Sequence, residues 1–576
     1  MATPETQSTA EAPPPATEEP PIRIALLLAP SPDDRLGERP LSAAHTRTLQ
    51  ALERAYPVRF ERVATTPTSD FDGMLALGAV DAAVTTELPK LLLPDGWRGE
   101  RAGASNEHAE RSCEVLMADD LRLERPLRGR ALQEETIALE APIDLGRGAV
   151  LASTLGRPVW WRLDTGATET DMCTYPLAEL SQDESLREHL RAGRFMGLLP
   201  LVSFLKRLLG QGDWREPPLR ASFVIDDPNL HWRSYGFLDY RELVAHATRH
   251  GYHVGFATVP LDGWFVEPRA AALLARNRSV LSLLIHGNNH VSRELARLRT
   301  DAQAQPTIAQ GLRRIASLER RSGVPVERVI VPPHGACSEA ALRAAFRLGC
   351  EAACVSRPYP WRDGLPAATP LAGWSPAELV TGGLAVLPRH PLSAPREDLV
   401  FRAVLGQPLI LYGHHGDFAD GLDTFEQAAN DIHSLGEARW GSLGSIARQS
   451  YTTRQLGDLL FVTMHARRVA VELPSRARTL RCSINEPFGG SGGHVLAHAR
   501  GSVAVCFERG RGISEPLSFE GPRVELTLQA DRPIDPATVR SRPNGPWPLI
   551  RRWIVEARDR LQPHTSSPPS RPFIQR

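Results

Sequence analysis

The chain has 576 residues, more than one hydrophobic core can hold, since single cores stop growing beyond about 250–300 residues. Lys plus Arg and Asp plus Glu both number 67, and 42% of residues are hydrophobic and 23% charged, so no global field draws the protein to nucleic acid or an anionic membrane; this is the composition of a soluble globular protein. The seven cysteines (Cys113, Cys173, Cys337, Cys350, Cys354, Cys482, Cys506) are scattered and contain no CxxC pair, which argues against a disulfide framework and a cysteine zinc knuckle and for a reducing compartment.

Residues 1–21 are rich in Pro, Glu and Thr and poor in large apolar side chains, so a disordered tail is expected. This stretch has neither the basic nor the apolar region of a secretion signal, and no run in the chain reaches the ~18 apolar residues of a membrane helix; the expectation is a cytoplasmic protein without a membrane or nucleic-acid partner. From residue 22 a βαβ alternation begins: IRIALLLAP, a helix over 42–56, a strand over 58–63, and a helix–strand pair ending in VDAAVTT. With the strand-like runs ETIALE and RPVWWRL and a helix over 195–209, it predicts an N-terminal doubly wound α/β domain over 22–210 that lacks a GxGxxG or Walker sequence, followed by the linker GQGDWREPP.

The clearest alternation runs over residues 219–420. Strands are expected over 221–225, 253–259, 280–285, 328–331, 352–355, 384–387 and 409–412, and three of the helices between them end at Gly251, Gly323 and Gly349, the position where a left-handed residue stops a helix. Seven parallel strands can close into a (β/α) barrel, which is the predicted central domain. Beyond it, LLFVTMHA, RRVAVELP, SVAVCFER and RVELTLQA predict a C-terminal β-sandwich over 450–562, closed by a helix over 546–561, and residues 563–576 form a second disordered tail.

The run ASFVIDDPNL (221–230) ends a buried strand in two carboxylates, Asp226 and Asp227, because Pro228 cannot continue a sheet ladder. The C-terminal rim of a parallel sheet is where ligands bind, although Asp before Pro-Asn is also ordinary turn chemistry. After the third expected strand, LLIHGNNH places His286 and His290 four residues apart, able to point the same way. The spacing is that of HExxH, but Gly287 stands where the catalytic Glu would be and the pair follows a strand rather than sitting mid-helix, which argues against a zincin. Asp227 with His286 and His290 makes a two-His, one-carboxylate set suited to a divalent metal, Zn²⁺ first, with Fe²⁺, Co²⁺ or Ni²⁺ acceptable by ligand type. A third signal is LILYGHHGDF, where His414 and His415 follow the seventh strand; adjacent residues on extended backbone point oppositely, so at most one faces the site.

VIDD followed by HGNNH resembles the polysaccharide deacetylase (NodB-homology) superfamily over roughly residues 219–420. The resemblance implies Asp226 as general base, Asp227, His286 and His290 as metal ligands, IVPPHG (330–335, with Pro333, His334 and Gly335) as a substrate-groove motif, and His414 or His415 as general acid. It implies metal-assisted hydrolysis of an N-acetyl or O-acetyl group: Asp226 takes a proton from water, the cation and a backbone N–H near the PPHG turn hold the oxyanion, and the histidine protonates the departing amine. The sequence departs from the family in two respects, the doubled His414–His415 that leaves the acid open and the residue at 331. Val331 replaces the arginine that steadies the base, with Arg328 and Arg357 as candidate substitutes.

Trp232, Trp264, Trp361 and Trp374 fall near expected loops, and Trp264 and Trp361 are the candidates for stacking on a sugar ring, with core packing as the competing role. Asn288 and Asn289 can bond substrate or cap their turn, and Arg313, Arg314, Arg320 and Arg321 are expected on a solvated helix face. The function expected is deacetylation of an amino sugar or related small amide, with a non-catalytic carbohydrate-binding or scaffold protein on the same barrel as the alternative. A glycosidase would need a carboxylate nucleophile at a strand end, where Glu351, at a strand start, does not lie. Oligomeric state is not encoded in any of these patterns.

Overall fold

Short apolar runs separated by amphipathic helices assemble into a mixed α/β fold with three large sheets of nine, ten and ten strands. The architecture is that of a computed structural model, which describes residues 19–28, 40–67, 70–78, 86–94, 112–136, 148–357 (apart from 165 and 167), 370–380, 383–485, 494–498, 501–508, 511–541 (apart from 531) and 545–561. Trp361, most of the VDAAVTT and ETIALE runs, and the expected tails up to residue 18 and from residue 562 lie outside the described residues. Among the described residues no helix is long and apolar enough to cross a membrane, and six cysteines are free thiols.

In the first sheet, Val58–Val63, Ile22–Leu28, Gly73–Leu77, Lys90–Leu93 and Glu169–Cys173 pair in parallel, as the βαβ reading expects. The other half is antiparallel: Glu169–Cys173, Arg157–Asp164, Ala149–Thr154, Cys113–Met117 and Ala131–Glu134 pair in that order. The doubly wound expectation is therefore corrected to a half-parallel, half-antiparallel sheet. The cause is local: Leu155 and Gly156 both adopt positive φ (49° and 74°), which makes a tight hairpin where a parallel sheet would need a long crossover.

The middle sheet carries the site. Eight of its ten strands are β1 (Arg220–Asp226), β2 (Val254–Thr258), β3 (Leu281–Ile285), β4 (Val326–Ile330), β5 (Ala352–Val355), β6 (Leu384–Pro388), β7 (His390–Pro391) and β8 (Leu409–Gly413); the short strands Glu378–Val380, antiparallel to β6, and Arg439–Trp440, beside β1, complete it. From β1 the parallel ladder runs through β2, β3, β4 and β5 to β6 on one side, and through β8 to β7 on the other. Only Arg389 separates β6 from β7, so one stretch of chain pairs first with β5 and then with β8. Helices α1 (Tyr240–His250), α2 (Pro268–Arg276), α3 (Asp301–Ser322), α4 (Glu339–Arg347), α5 (Glu397–Val404) and α6 (Asp423–Leu435) alternate with the strands. Helix α1 shows why the boundaries were readable. Asp239 accepts the backbone N–H of Arg241 and Glu242 at its start, and Gly251 ends it at φ 67°.

Helix α7 (Leu443–Arg448) and the third sheet share one buried cluster with Val224, Ala257, Leu284, Val329, Leu387 and Ile410 of the middle sheet, and Gly444 N–H donates to Glu327 near the start of β4. That third sheet is one hydrogen-bonded sheet, not the two separate sheets of the expected β-sandwich. Arg468–Glu472 crosses to its far edge to pair with Arg523–Gln529, and the chain returns to lay Thr479–Asn485 parallel to Leu459–Met464. Trp214–Arg215, expected in a linker, is its opposite edge.

The expected closing helix forms as α8 (Trp547–Leu561), but its ion pairs and side-chain hydrogen bonds go to the rim of the middle sheet. Residues on the way there follow α3, where Arg313 donates to the carbonyls of Pro536 and Val539. The basic cluster on α3 is thus only partly a solvated face. Arg320 and Arg321 are exposed, whereas Arg313 anchors this connection and Arg314 reaches the rim.

Candidate active site

Asp226 and Asp227 leave β1 at its C-terminal end and turn to different partners, because Asp227 takes up a left-handed backbone conformation, φ 70°. Asp226 is buried and accepts two hydrogen bonds from Arg389, Nη1 to Oδ1 at 2.6 Å and Nη2 to Oδ2 at 2.8 Å. Arg389 is itself fully buried, with its guanidinium 4.2 Å from the ring centre of Tyr412. Burial opposes ionisation of Asp226, but Arg389 outweighs it and holds the carboxyl below its ordinary value. The arginine beside Asp226 is therefore supplied from the β6–β7 junction. Arg328, one of the expected substitutes, pairs instead with Glu319 at 2.8 Å.

Asp227 faces the two histidines. His290 Nε2 lies 2.9 Å and His286 Nε2 3.5 Å from Asp227 Oδ1, and one ligand atom from each of the three residues falls within 4.8 Å of the others. His286 Nδ1 is 2.8 Å from the Val331 carbonyl, which can only accept, so Nδ1 carries the proton and the Nε2 lone pair points at the site. Burial pushes the His286 imidazolium down to about 4, which keeps this ring neutral at neutral pH. Asp227 Oδ1 is buried and has no hydrogen bond among the described residues: His290 is at ion-pair distance but outside hydrogen-bonding geometry. Burial again opposes ionisation, yet His290, His286 and Arg552 hold the Asp227 carboxyl well below the usual range. A buried carboxylate oxygen without a hydrogen bond, facing the Nε2 atoms of His286 and His290, is a donor set that fits a divalent cation.

The HGNNH turn is held by a residue the sequence reading missed. Buried Glu294 accepts the backbone N–H groups of Asn288 (2.9 Å), Asn289 (2.9 Å) and His290 (3.2 Å). Arg314 donates to the side-chain oxygens of Asn288 (2.6 Å) and Asn289 (2.8 Å), so both asparagines brace the turn. Gly287 sits at φ 64° where a Cβ would lie 2.7 Å from Pro333 Cγ, which lets the PPHG turn pack on the histidine turn. A Glu294→Gln chain, keeping one acceptor oxygen without the charge, is expected to bind Zn²⁺ about 10–100-fold more weakly in a competition titration with a chelating dye. Unchanged affinity would show that the turn holds its shape without this anion.

On the opposite side, His414 and His415 diverge for a reason other than the expected alternation: His414 is extended (φ −120°, ψ 167°), whereas His415 opens the helical turn His415–Phe418. His414 is exposed, with Nε2 4.0 Å from Asp226 Oδ2. His415 turns away, edge-on to Tyr235 (4.9 Å) and stacked on Phe237 (6.0 Å). In the PPHG turn Pro333 and Gly335 are buried, and the Gly335 N–H is engaged by the Pro332 carbonyl at 2.9 Å, whereas His334 is exposed with its ring 6.0 Å from that of His290. Of the tryptophans, Trp374 is core, while Trp232 and Trp264 are half exposed.

Helix α8 adds residues that no local signal announced. Arg552 bonds Asp262 through Nε at 3.0 Å and stands 3.7 Å from Asp227 Oδ1. Arg551 donates to the His290 carbonyl, and Glu556 accepts from Asn229. Trp553 lies 6.0 Å from Trp264 and 6.3 Å from His231, so the helix and the β1 and β2 loops present one aromatic surface beside the carboxylates.

No family model and no curated sequence matches the chain. Solved structures to which it is similar include Agd3, described as a novel carbohydrate deacetylase (11% identity over 88% of this chain and 99% of that one, TM-score 0.45). Others are a family 4 carbohydrate esterase from Streptomyces lividans (11% identity, 39% of this chain and 94% of that one, TM-score 0.24) and a family 4 acetyl xylan esterase from Clostridium thermocellum (12%, 39% and 89%, TM-score 0.23).

Proposed function

We propose that the chain is a metal-dependent hydrolase that removes an acetyl group from an amino sugar or related amide, working on a seven-stranded (β/α) barrel whose ring is completed by the continuous β6–β7 segment. The observation that carries this reading is the separation of the two carboxylates: Asp226 is held by Arg389, and Asp227 faces His286 and His290. A divalent cation held by those three residues, Zn²⁺ by donor type, would polarise the acetyl carbonyl and acidify the attacking water, which a base of lowered pKa such as Asp226 requires. Asp226 then accepts the water proton at the oxygen nearer His414. His414, on the solvent side of the same carboxylate, delivers a proton to the departing amine, without which that group leaves very poorly. Trp264, with His231 and Trp553 beside it, supplies a face for the apolar side of a sugar ring. His334, Asn289 and the PPHG turn border the acetyl end, and Trp361 is retained as a candidate contact from the sequence alone.

The non-catalytic alternative drew its force from the missing arginine, and the bidentate contact of Arg389 favours the hydrolase over it. The test is acetate release from soluble N-acetylated and O-acetylated oligosaccharides by the zinc-loaded chain. Wild type is expected to turn over. His414→Ala should lose about 10²–10⁴-fold in kcat, and His415→Ala should keep most of it. No acetate from either substrate class, or equal losses in the two histidine variants, sinks the assignment.

A further inference from the structure

A second cluster of metal-binding side chains lies on the outer layer, away from the rim. Helix α1 carries His246 and His250 at i and i+4, so both project from one face, and α6 sets Glu426 against them. The two imidazoles lie nearly parallel, centres 4.2 Å apart, and His250 Nε2 is 3.7 Å from Glu426 Oε2. One ligand atom from each of the three residues falls within 4.8 Å of the others, the same closeness found for Asp227, His286 and His290. All three are partly buried, so the cluster sits in a groove between the helices and still meets solvent. Tyr252 adds an orienting contact: its hydroxyl lies 2.8 Å from His246 Nδ1, and a hydroxyl that accepts from Nδ1–H leaves Nε2 free to ligate.

We infer that His246, His250 and Glu426 form a second divalent transition-metal site, of the two-His, one-carboxylate type, that clamps α1 to α6. Two neutral imidazoles and a carboxylate suit Zn²⁺, Co²⁺ or Ni²⁺, and the solvent-facing side leaves room for water to complete the coordination. Its position gives it a purpose. Helix α1 follows β1, which delivers Asp226 and Asp227, and α6 follows β8, which delivers His414; β1 and β8 are direct neighbours, with Ile225 opposite Gly413. Behind the clamp, Tyr252 packs against Phe425, the residue before Glu426, at 5.4 Å. A cation bridging the helices would therefore hold the two strands that carry the proposed base and acid in fixed relation. This site does not depend on the deacetylase reading.

The experiment is equilibrium dialysis of the full chain against Zn²⁺, followed by elemental analysis, on wild type, His250→Gln and Glu426→Gln. Neither variant removes the Tyr252 contact or a core side chain. Each is expected to hold one equivalent fewer than wild type, or to bind that equivalent at least tenfold more weakly. Equal stoichiometry and affinity in all three chains overturns the site, whether or not the rim also binds. A second measurement separates the two centres: Zn²⁺ should raise the Tm of Asp227→Asn and fail to raise that of Asp227→Asn combined with His250→Gln. A Tm of Asp227→Asn that does not move with Zn²⁺ also overturns the clamp.

Discussion

A chain carrying Asp227→Asn is expected to lose the rim cation and, with it, about 10³-fold or more in kcat/KM for acetate release, since the several kcal/mol of charge stabilisation that a cation gives an acyl-transfer transition state correspond to that factor. Asparagine is a better test than alanine. Asp227 sits at φ 70°, a left-handed conformation that Asn tolerates and that costs most other residues about 1–2 kcal/mol, so Asp227→Ala would mix backbone strain with loss of the ligand. The same buried oxygen faces His290 at 2.9 Å, His286 at 3.5 Å and Arg552 at 3.7 Å without a hydrogen bond, and neutralising it removes the anion that stands directly against those two histidine nitrogens. Elemental analysis beside the acetate assay checks both halves. One equivalent of metal should disappear from Asp227→Asn and from His286→Ala alike. Both variants holding as many equivalents as wild type, or activity retained after that equivalent is lost, would remove the cation from the mechanism. Arg552 makes the outcome sharper, because its pairing with Asp262 is expected to persist in the variant and to keep α8 docked.

What the sequence made legible is what short stretches encode on their own. The strand ending in Asp226–Asp227 and the i, i+4 pair His286–His290 are read within a few residues, and the structure brings Asp227 to both histidines. The β-strands of the middle sheet were placed by the same local logic of apolar runs and helix-stopping glycines. The residues that were missed act across long separations. Arg389 meets Asp226 from 163 residues away, and Glu294 acts through backbone N–H groups, for which no side-chain pattern exists. One signal for Arg389 was present: LAVLPRHP ends an apolar strand in a charge, as VIDD does, and a charge at a strand's C-terminal end on a sheet already holding a buried carboxylate is a natural partner for it. The two outer sheets fail for a related reason. Alternation marks a strand but not its neighbour, so antiparallel pairing through the Leu155–Gly156 hairpin and the crossing of Arg468–Glu472 to the far edge could not be read from periodicity. Helix α8 was recognised as a helix, but its docking depends on Arg551, Arg552 and Glu556 finding partners that lie in other parts of the chain.

Arg389→Met should act on stability and on the acid side of the pH–rate profile at once, and the pairing of those effects identifies its role. Asp226 and Arg389 are both almost fully buried, and removing one member of such a pair leaves an uncompensated charge at a cost of about 3–5 kcal/mol. In the wild type the guanidinium holds the Asp226 carboxyl below its ordinary value of 3.8, so the stabilisation it gives is fully present above that pH and is lost as pH falls through the lowered pKa. Without Arg389 the burial remains and the largest favourable charge is gone, so the carboxyl is expected to take up its proton at higher pH than in the wild type. Urea unfolding should then show the largest gap between variant and wild type near neutral pH and a shrinking gap on acidification, because a protonated Asp226 needs no counter-charge. The acid limb of kcat/KM should move to higher pH in the variant for the same reason. Arg389→Lys, which keeps a charge but not the two-pronged contact, should fall between the two. A residue that only filled space between β6 and β8 would lower stability equally at all pH values and leave the acid limb where it was. That result would detach Arg389 from the titration of Asp226 and return the question of what tunes this proposed base to the histidine beside it, His414.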